Sequence, residues 1–147
     1  MSKPTIYIAG ASADLPRARA AMELARSLGY VVEYDWPQGI DEAGGRANEG
    51  LERDEAREAS ALCIQAAIRA DVMWLLLDPE LRSPGAHVEL GARLVSGGYR
   101  ARALYTTGPR PSSSIHYSWG QYVGEHDALM RETLSALLGT TEEASDA

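Results

Sequence analysis

The sequence predicts an α/β fold: a doubly wound, flavodoxin-like parallel sheet of four or five strands in a single domain. Strand-like and helix-like segments alternate along the whole chain, the pattern of βα units that build a parallel sheet. An unbroken apolar run over residues 72–77 is typical of a central strand covered by helices on both faces. The length of 147 residues is ordinary for one domain. We expect that domain over residues 1–139 and a flexible acidic tail over 140–147.

The N-terminal part contains two predicted strands, a helix and a long loop. Residues 5–9 are β-branched and aromatic and predict a buried first strand. From 14 to 28 the apolar residues recur every three or four positions, which is the spacing of one helical face. A second strand is predicted over 30–34. The segment 35–50 is rich in glycine and has no sustained period, so we predict a loop, and loops of this length are often functional.

The C-terminal part continues the same alternation. Its predicted elements are, in order, a helix over 51–69, the strand 72–77, a loop over 78–83, a helix over 84–96, a strand over 101–105, a loop over 108–114, a short strand near 121–123 and a helix over 125–138. In sheets of this kind, ligands bind beyond the carboxyl ends of the strands. We therefore look for functional residues in the segments 10–14, 35–50, 78–87 and 106–120.

The charge and the cysteine content exclude several classes of protein. The chain carries 14 Lys and Arg against 21 Asp and Glu, a formal net charge of −7. Nucleic acid polymers and membrane surfaces require a basic face, so we expect neither as a partner, whereas a small-molecule ligand needs only a few local donors. Cys63 is the only cysteine, which rules out an intrachain disulfide. We expect no membrane span or signal peptide, and a cytoplasmic protein.

The most informative stretch surrounds Glu89. A hydrophobic strand leads through a short loop into Gly-Ala-His-Val-Glu-Leu-Gly at residues 85–91. This places Glu89 in the first turns of a helix, where the helix dipole helps to keep a carboxylate ionised and available as a nucleophile. A glutamate at such a position more commonly only stabilises its own helix, so its role depends on the surrounding motifs.

The order of these motifs resembles the nucleoside 2-deoxyribosyltransferase superfamily, which includes the 2′-deoxynucleoside 5′-phosphate N-hydrolases. Three blocks carry the resemblance: Ile-Tyr-Ile-Ala-Gly at 6–10, Ala-Asp-Val at 70–72 and the segment 85–91, the most specific of the three. The resemblance implies that Glu89 attacks the anomeric carbon and that Tyr7 orients its carboxylate. It also implies a homodimer or larger assembly, because neighbouring subunits often complete these sites, and no metal or organic cofactor.

Ser83 distinguishes two branches of that superfamily. Six residues before the nucleophile, transferases acting on free nucleosides tend to carry Asp, which binds the sugar hydroxyls. The monophosphate hydrolases carry Ser there, which bonds the 5′-phosphate. Ser83 thus favours a nucleoside 5′-monophosphate, as does Ser113, in a serine cluster where those hydrolases place another phosphate contact. A serine before Pro84 is also an ordinary N-cap, so both interpretations stay open.

Four further residues complete the predicted substrate-binding set: Gly10, Gly85, His87 and Trp119. Gly10 belongs to the small-residue loop after the first strand, and Gly85 to the turn before Glu89. Trp119 lies on a candidate loop, where an aromatic ring can stack on a base. A histidine exchanges protons near neutral pH, but His87 lies two residues before Glu89 and should point around the helix. No Cys/His spacing typical of a metal site occurs.

Position 63 departs from the family pattern. Eight residues before Asp71 the family usually has another Asp, which acts on the nucleobase as an acid or hydrogen-bond partner, and here the residue is Cys63. A thiol is a poor substitute for a carboxyl group in assisting a leaving base. Two hypotheses follow: cleavage or transfer at the N-glycosidic bond of a nucleoside or nucleoside 5′-monophosphate, and a catalytically silent nucleotide-binding module. A dinucleotide glycohydrolase uses the same bond type, but no residue points to it specifically.

Overall fold

A computed structural model gives the structure of the protein and describes residues 2–78, 83–97, 103–109, 118–125 and 127–146, with the backbone alone from residue 140. The elements in these residues are, in chain order, β1 (Thr5–Ala9), α1 (Leu15–Ser27), β2 (Val31–Val32), α2 (Trp36–Glu42), a 3-10 turn (Asn48–Gly50), α3 (Arg53–Arg69), β3 (Val72–Leu76), α4 (Pro84–Ser96), β4 (Leu104–Thr107), β5 (Gln121–Gly124) and α5 (Asp127–Asp146).

The five strands form one parallel sheet in the order β2-β1-β3-β4-β5. The predicted α/β class and doubly wound sheet are therefore confirmed. This is the flavodoxin-like order, in which the direction of winding reverses between β1 and β3. Every residue of β3 is buried, as the unbroken apolar run predicted for a central strand. Helix α1 packs with α5, and α3 packs with α4, so one pair of helices covers each face.

Asp71 ties the start of β3 to the start of β1. Its carboxylate accepts hydrogen bonds from the Thr5 backbone N–H at 2.8 Å and the Thr5 hydroxyl at 3.2 Å. The Asp71 N–H in turn donates to the Thr5 hydroxyl oxygen at 3.0 Å. These bonds lie at the amino ends of the two strands, at the opposite edge from the ligand-binding loops. Asp71 therefore stabilises the pairing of β1 with β3 and lies away from the ligand-binding edge.

The prediction of a loop throughout 35–50 is wrong, because α2 forms inside it. The Asp35 side chain caps this helix by accepting the N–H of Gln38 at 3.0 Å, and Pro37 lies in the first turn. Both are ordinary signals of a helix start. The helix ends at Glu42, and Gly44 and Gly45 follow with positive φ angles of 72° and 82°, which glycine adopts at little cost.

Three other boundaries differ from the predicted ones. The edge strand β2 pairs on one side only and has two residues, Val31–Val32. Strand β4 begins at Leu104 and continues to Thr107. Helix α5 continues to Asp146, into the segment predicted as a flexible tail, because Gly139 costs a helix only about 1 kcal/mol and glutamate and alanine after it favour helix. The domain border at residue 139 stays a prediction.

A buried arginine that the sequence analysis missed joins α4 to the end of α3. The Arg93 side chain is 2% exposed and donates to the carbonyl oxygens of Ala67 at 2.8 Å, Ala70 at 2.7 Å and Asp71 at 3.2 Å. The last carbonyl groups of a helix have no hydrogen-bond partners within the helix. At the end of α3 the Arg93 guanidinium donates the missing hydrogen bonds. Because Arg93 lies one turn after Glu89 on α4, these bonds also hold the Glu89 turn in place.

None of the helices in the described ranges combines the length and apolar character needed to cross a bilayer. The cytoplasmic location stays a prediction.

Candidate active site

A cavity of about 630 Å³ opens beside the carboxyl ends of β1 and β3. Its walls come from four places: the loop after β1, α2 with the segment that follows it, one face of α3, and the first turns of α4. The volume is typical of small-molecule sites. The cavity lies where the winding of the sheet reverses, the position at which folds of this topology bind their ligands.

Glu89 and Tyr7 meet at the base of this cavity. Glu89 lines the cavity and is 8% exposed, and Tyr7, in the middle of β1, is fully buried. The Tyr7 hydroxyl donates a hydrogen bond to Glu89 Oε1. Burial raises the pKa of Glu89, and the hydrogen bond from Tyr7 opposes that rise. Burial and the neighbouring carboxylate also raise the pKa of Tyr7, so the hydroxyl remains protonated and able to donate.

Cys63 joins these two residues from α3. It is half-buried and lines the cavity, and it lies close enough to Tyr7 and Glu89 for both side chains to influence its pKa. Burial, and then the Glu89 carboxylate, raise the pKa of the Cys63 thiol to about 12. A thiol with such a pKa is neutral at physiological pH and is a weak proton donor to a substrate. Cys63 therefore lies beside Glu89 but cannot replace a carboxylic acid.

The start of α4 presents hydrogen-bond donors to the cavity. Ser83 and Gly85 line it, and Ser83 is the N-cap residue of α4, but its hydroxyl makes no capping hydrogen bond. The first-turn N–H groups of a helix have no partners within it and favour anions. Gly10 lines the cavity too, and a Cβ at Gly10 would lie 3.3 Å from Leu76.

Two predicted substrate-binding residues, His87 and Trp119, do not join this group. His87 is exposed on α4, and its Nδ1 donates to the Ser83 carbonyl oxygen at 2.9 Å. Trp119 is 45% exposed before β5. Neither is among the cavity-lining residues in the part of the chain that the structure describes, which for His87 follows from its place two residues before Glu89. Ser113 lies outside the described residues.

An aromatic wall on the α2 side completes the cavity. Trp36 lines it and is almost fully buried, with its Nε1 donating to the Ile8 carbonyl oxygen at 2.8 Å. Tyr34, which the sequence analysis passed over, lines it beside Gly39, where an added Cβ would be 2.6 Å from the Tyr34 hydroxyl oxygen. Trp36 lies in the segment 35–50, which the sequence analysis expected to be functional, whereas no sequence signal singled out Tyr34.

The segment between α2 and α3 forms the outer wall and is tied down at both ends. Arg46 makes two hydrogen bonds to the Glu55 carboxylate, at 3.1 and 2.9 Å, and one to the Ala43 carbonyl oxygen at 2.9 Å. The Asn48 side-chain amide donates to the Ser12 hydroxyl oxygen at 2.8 Å, which joins this segment to the loop after β1. The positive charge of Arg46 is thereby matched by Glu55.

Within the described ranges, no three His, Cys, Asp or Glu side chains are arranged to hold a metal ion.

Comparisons with known proteins support the fold. No family model and no curated protein matches this sequence. Among solved structures, the chain is similar to BcmB, a CMP N-glycosidase from Clostridium botulinum, with a TM-score of 0.57 and 12% sequence identity over 90% of this chain and 98% of that one. At this level of identity the likeness shows a shared fold.

Proposed function

We propose that this protein belongs to the nucleoside 2-deoxyribosyltransferase superfamily and acts at the N-glycosidic bond of a nucleoside or nucleoside 5′-monophosphate. The observation that carries the proposal is the buried hydrogen bond from Tyr7 to the Glu89 carboxylate at the base of a ligand-sized cavity. The shared fold with an N-glycosidase and the order of the sequence motifs support it.

In the proposed reaction Glu89 is the nucleophile. One carboxylate oxygen forms a bond to C1′ while the C1′–N bond breaks and its electron pair leaves with the base. The resulting glycosyl ester is then attacked by water or by a second acceptor, which releases the sugar and restores the carboxylate. Tyr7 holds the carboxylate through Oε1 and limits its rotation, which favours attack from one geometry.

The sugar is proposed to lie over Glu89 with its 5′ end at the start of α4. Ser83, Gly85 and the first-turn N–H groups there suit a 5′-hydroxyl or 5′-phosphate. Ser113 is a proposed second phosphate contact, and Gly10 is proposed to let the sugar approach the end of β1. His87 and Trp119 remain predicted substrate contacts without a place on the described cavity wall.

Incubation with a panel of nucleosides and nucleoside 5′-monophosphates, followed by chromatography of the free base, tests this function. Both ribose and 2′-deoxyribose forms belong in the panel. We expect time-dependent release of base from at least one compound, proportional to enzyme concentration. Release from none of them would contradict the proposal.

The rate of base release should depend on the ionisation of Glu89. Since only the carboxylate attacks C1′, the rate is expected to rise with pH through the raised pKa of Glu89. Tyr7→Phe removes a hydrogen bond that lowers this pKa, so the acidic limb of the pH–rate profile should move to higher pH and kcat should fall. An unchanged acidic limb in Tyr7→Phe would show that Tyr7 does not act on the nucleophile.

The neutral Cys63 thiol favours a second candidate function, a nucleotide-binding module that no longer consumes its ligand. Such a protein would keep the Tyr7–Glu89 cavity and lack the acid that assists a leaving base. Calorimetric titration beside the base-release assay separates the two: binding of a nucleotide with no release of base indicates the module.

Self-association is a further part of the proposal. Large apolar side chains are exposed on α3 and α4, namely Leu62, Val88 and Val95, the last at 65% exposure; Leu62 and Val88 also line the cavity, so this surface borders its opening. Val88 and Val95 are seven residues apart and share one face of α4. We expect the wild type to sediment as a dimer and Val95→Glu, which lies away from the cavity wall, as a monomer. Equal masses for the two would contradict this interface.

A further inference from the structure

The described wall of the cavity carries an excess of negative charge. Its described lining residues include four carboxylates, those of Glu42, Glu55, Glu58 and Glu89, and one guanidinium, that of Arg46. Arg46 is paired with Glu55 through two hydrogen bonds. Glu42 and Glu58 are exposed at the α2–α3 side. Solvent and salt screen the charges of these side chains only in part over the distance to a bound ligand. This side favours a positively charged group over an anionic one.

Within the described residues, no carboxylic acid lies beside Glu89 to protonate a leaving base. Cys63, beside Glu89, is a neutral thiol with a pKa raised to about 12. The guanidinium of Arg46 lowers the pKa of Glu55, which keeps that carboxylate ionised. The Glu42 and Glu58 side chains are exposed to solvent. A base that must accept a proton in order to leave therefore finds little assistance on this wall.

A substrate with a positively charged base would satisfy both observations. We propose that the substrate is a nucleoside or nucleotide whose base is positively charged, such as an N-ribosyl pyridinium or an N-alkylated purine. This inference rests on the proposed function and deepens it by naming the class of base. Tyr34 and Trp36 on the same side of the cavity agree with it, because aromatic rings attract cations.

The reaction of such a substrate balances without an acid. Glu89 donates an electron pair to C1′, and the C1′–N bonding pair moves onto the base nitrogen, which neutralises the positive charge of the ring. The base leaves as a neutral molecule and takes up no proton. Water then cleaves the glycosyl ester, giving the free sugar, the Glu89 carboxylate and one proton released to solvent.

A preference for a charged base distinguishes the proposed enzyme from an ordinary nucleosidase. General acid catalysis accelerates such reactions by about 10² to 10⁴. A substrate with a neutral base receives no such acceleration at this site, whereas a substrate with a cationic base does not need it. We expect kcat/KM for 7-methylguanosine, in its cationic form, to exceed that for guanosine by at least about a hundredfold, with nicotinamide riboside also cleaved. The two purine nucleosides differ by one methyl group and one charge, so they form a matched pair.

The two substrates also differ in intrinsic reactivity. Comparing variants of Cys63 on the same substrate cancels that difference. Cys63→Asp introduces a carboxyl group beside Glu89 and should raise kcat/KM for guanosine by at least about tenfold, with little change for 7-methylguanosine. Cys63→Asn has nearly the same shape without an acid and should leave the preference for the cation intact. Equal preferences in Cys63→Asp and Cys63→Asn would overturn the inference.

A variant at the exposed Glu58 tests the contribution of the cavity's negative charge without changing position 63. Glu58→Gln should lower kcat/KM for 7-methylguanosine by about two- to fivefold and lower that for guanosine less, while Glu23→Gln on α1 changes neither. Wild-type cleavage of guanosine as fast as 7-methylguanosine would overturn the inference and leave the proposed function standing. Cleavage of no nucleoside of either charge would overturn both.

Discussion

Replacing Glu89 with glutamine is expected to reduce base release by at least about a thousandfold, or roughly 4 kcal/mol of barrier. The amide has the shape of the carboxylate and can still accept the hydrogen bond from Tyr7, but it cannot form the ester with C1′. Ligand affinity should stay within about tenfold of the wild type, roughly 1.4 kcal/mol. The measurements are base release by chromatography and ligand binding by calorimetry.

The stability of the same variant provides an internal control. Burial raises the pKa of Glu89, which means that the folded protein disfavours its charge at neutral pH. A neutral glutamine removes this cost, so Tm should be unchanged or higher, and lost activity then cannot come from unfolding. Glu23→Gln, on the surface of α1, should retain full activity. Substantial base release by Glu89→Gln would mean that the nucleophile lies elsewhere.

Arg93→Met is expected to lower the free energy of unfolding by about 3 to 5 kcal/mol. The methionine fills part of the space of the arginine stem, but the carbonyl oxygens of Ala67, Ala70 and Asp71 lose the guanidinium that they share. Hydrogen bonds to a charged group contribute about 1.5–3 kcal/mol each, and a buried unsatisfied acceptor costs about 1–3 kcal/mol. Chemical denaturation, with the slope checked for two-state behaviour, measures the loss.

Two further variants serve as a comparison and a control for Arg93→Met. Arg93→Lys retains a positive charge and part of the hydrogen bonding, so its loss should be smaller. Arg57→Met removes an exposed arginine of α3 and should change stability by less than about 0.5 kcal/mol. A loss below about 1 kcal/mol in Arg93→Met would show that water or a rearranged helix end can satisfy the three carbonyls.

The sequence predicted those parts of the fold that depend on local patterns. Strand β3 was recognisable because a strand buried on both faces is apolar at every position, and α1 because its buried face recurs at helical spacing. The parallel sheet followed from the alternation of these elements. Helix α2 was missed although Asp35 and Pro37 mark its start, because the glycines that follow it dominate the composition of the segment.

For the candidate site, the sequence by itself determined that Glu89 starts a helix after the central strand and that Tyr7 lies on the first strand. Only the tertiary structure decided that they meet, because their contact spans 82 positions along the chain and depends on how α4 packs on the sheet. The same packing placed Cys63 against both residues, assigned Arg93 to the end of α3, and left His87 and Trp119 away from the described cavity wall. Local spacing constrains which face of one element a residue occupies, whereas the distance between two elements depends on the packing of the whole core.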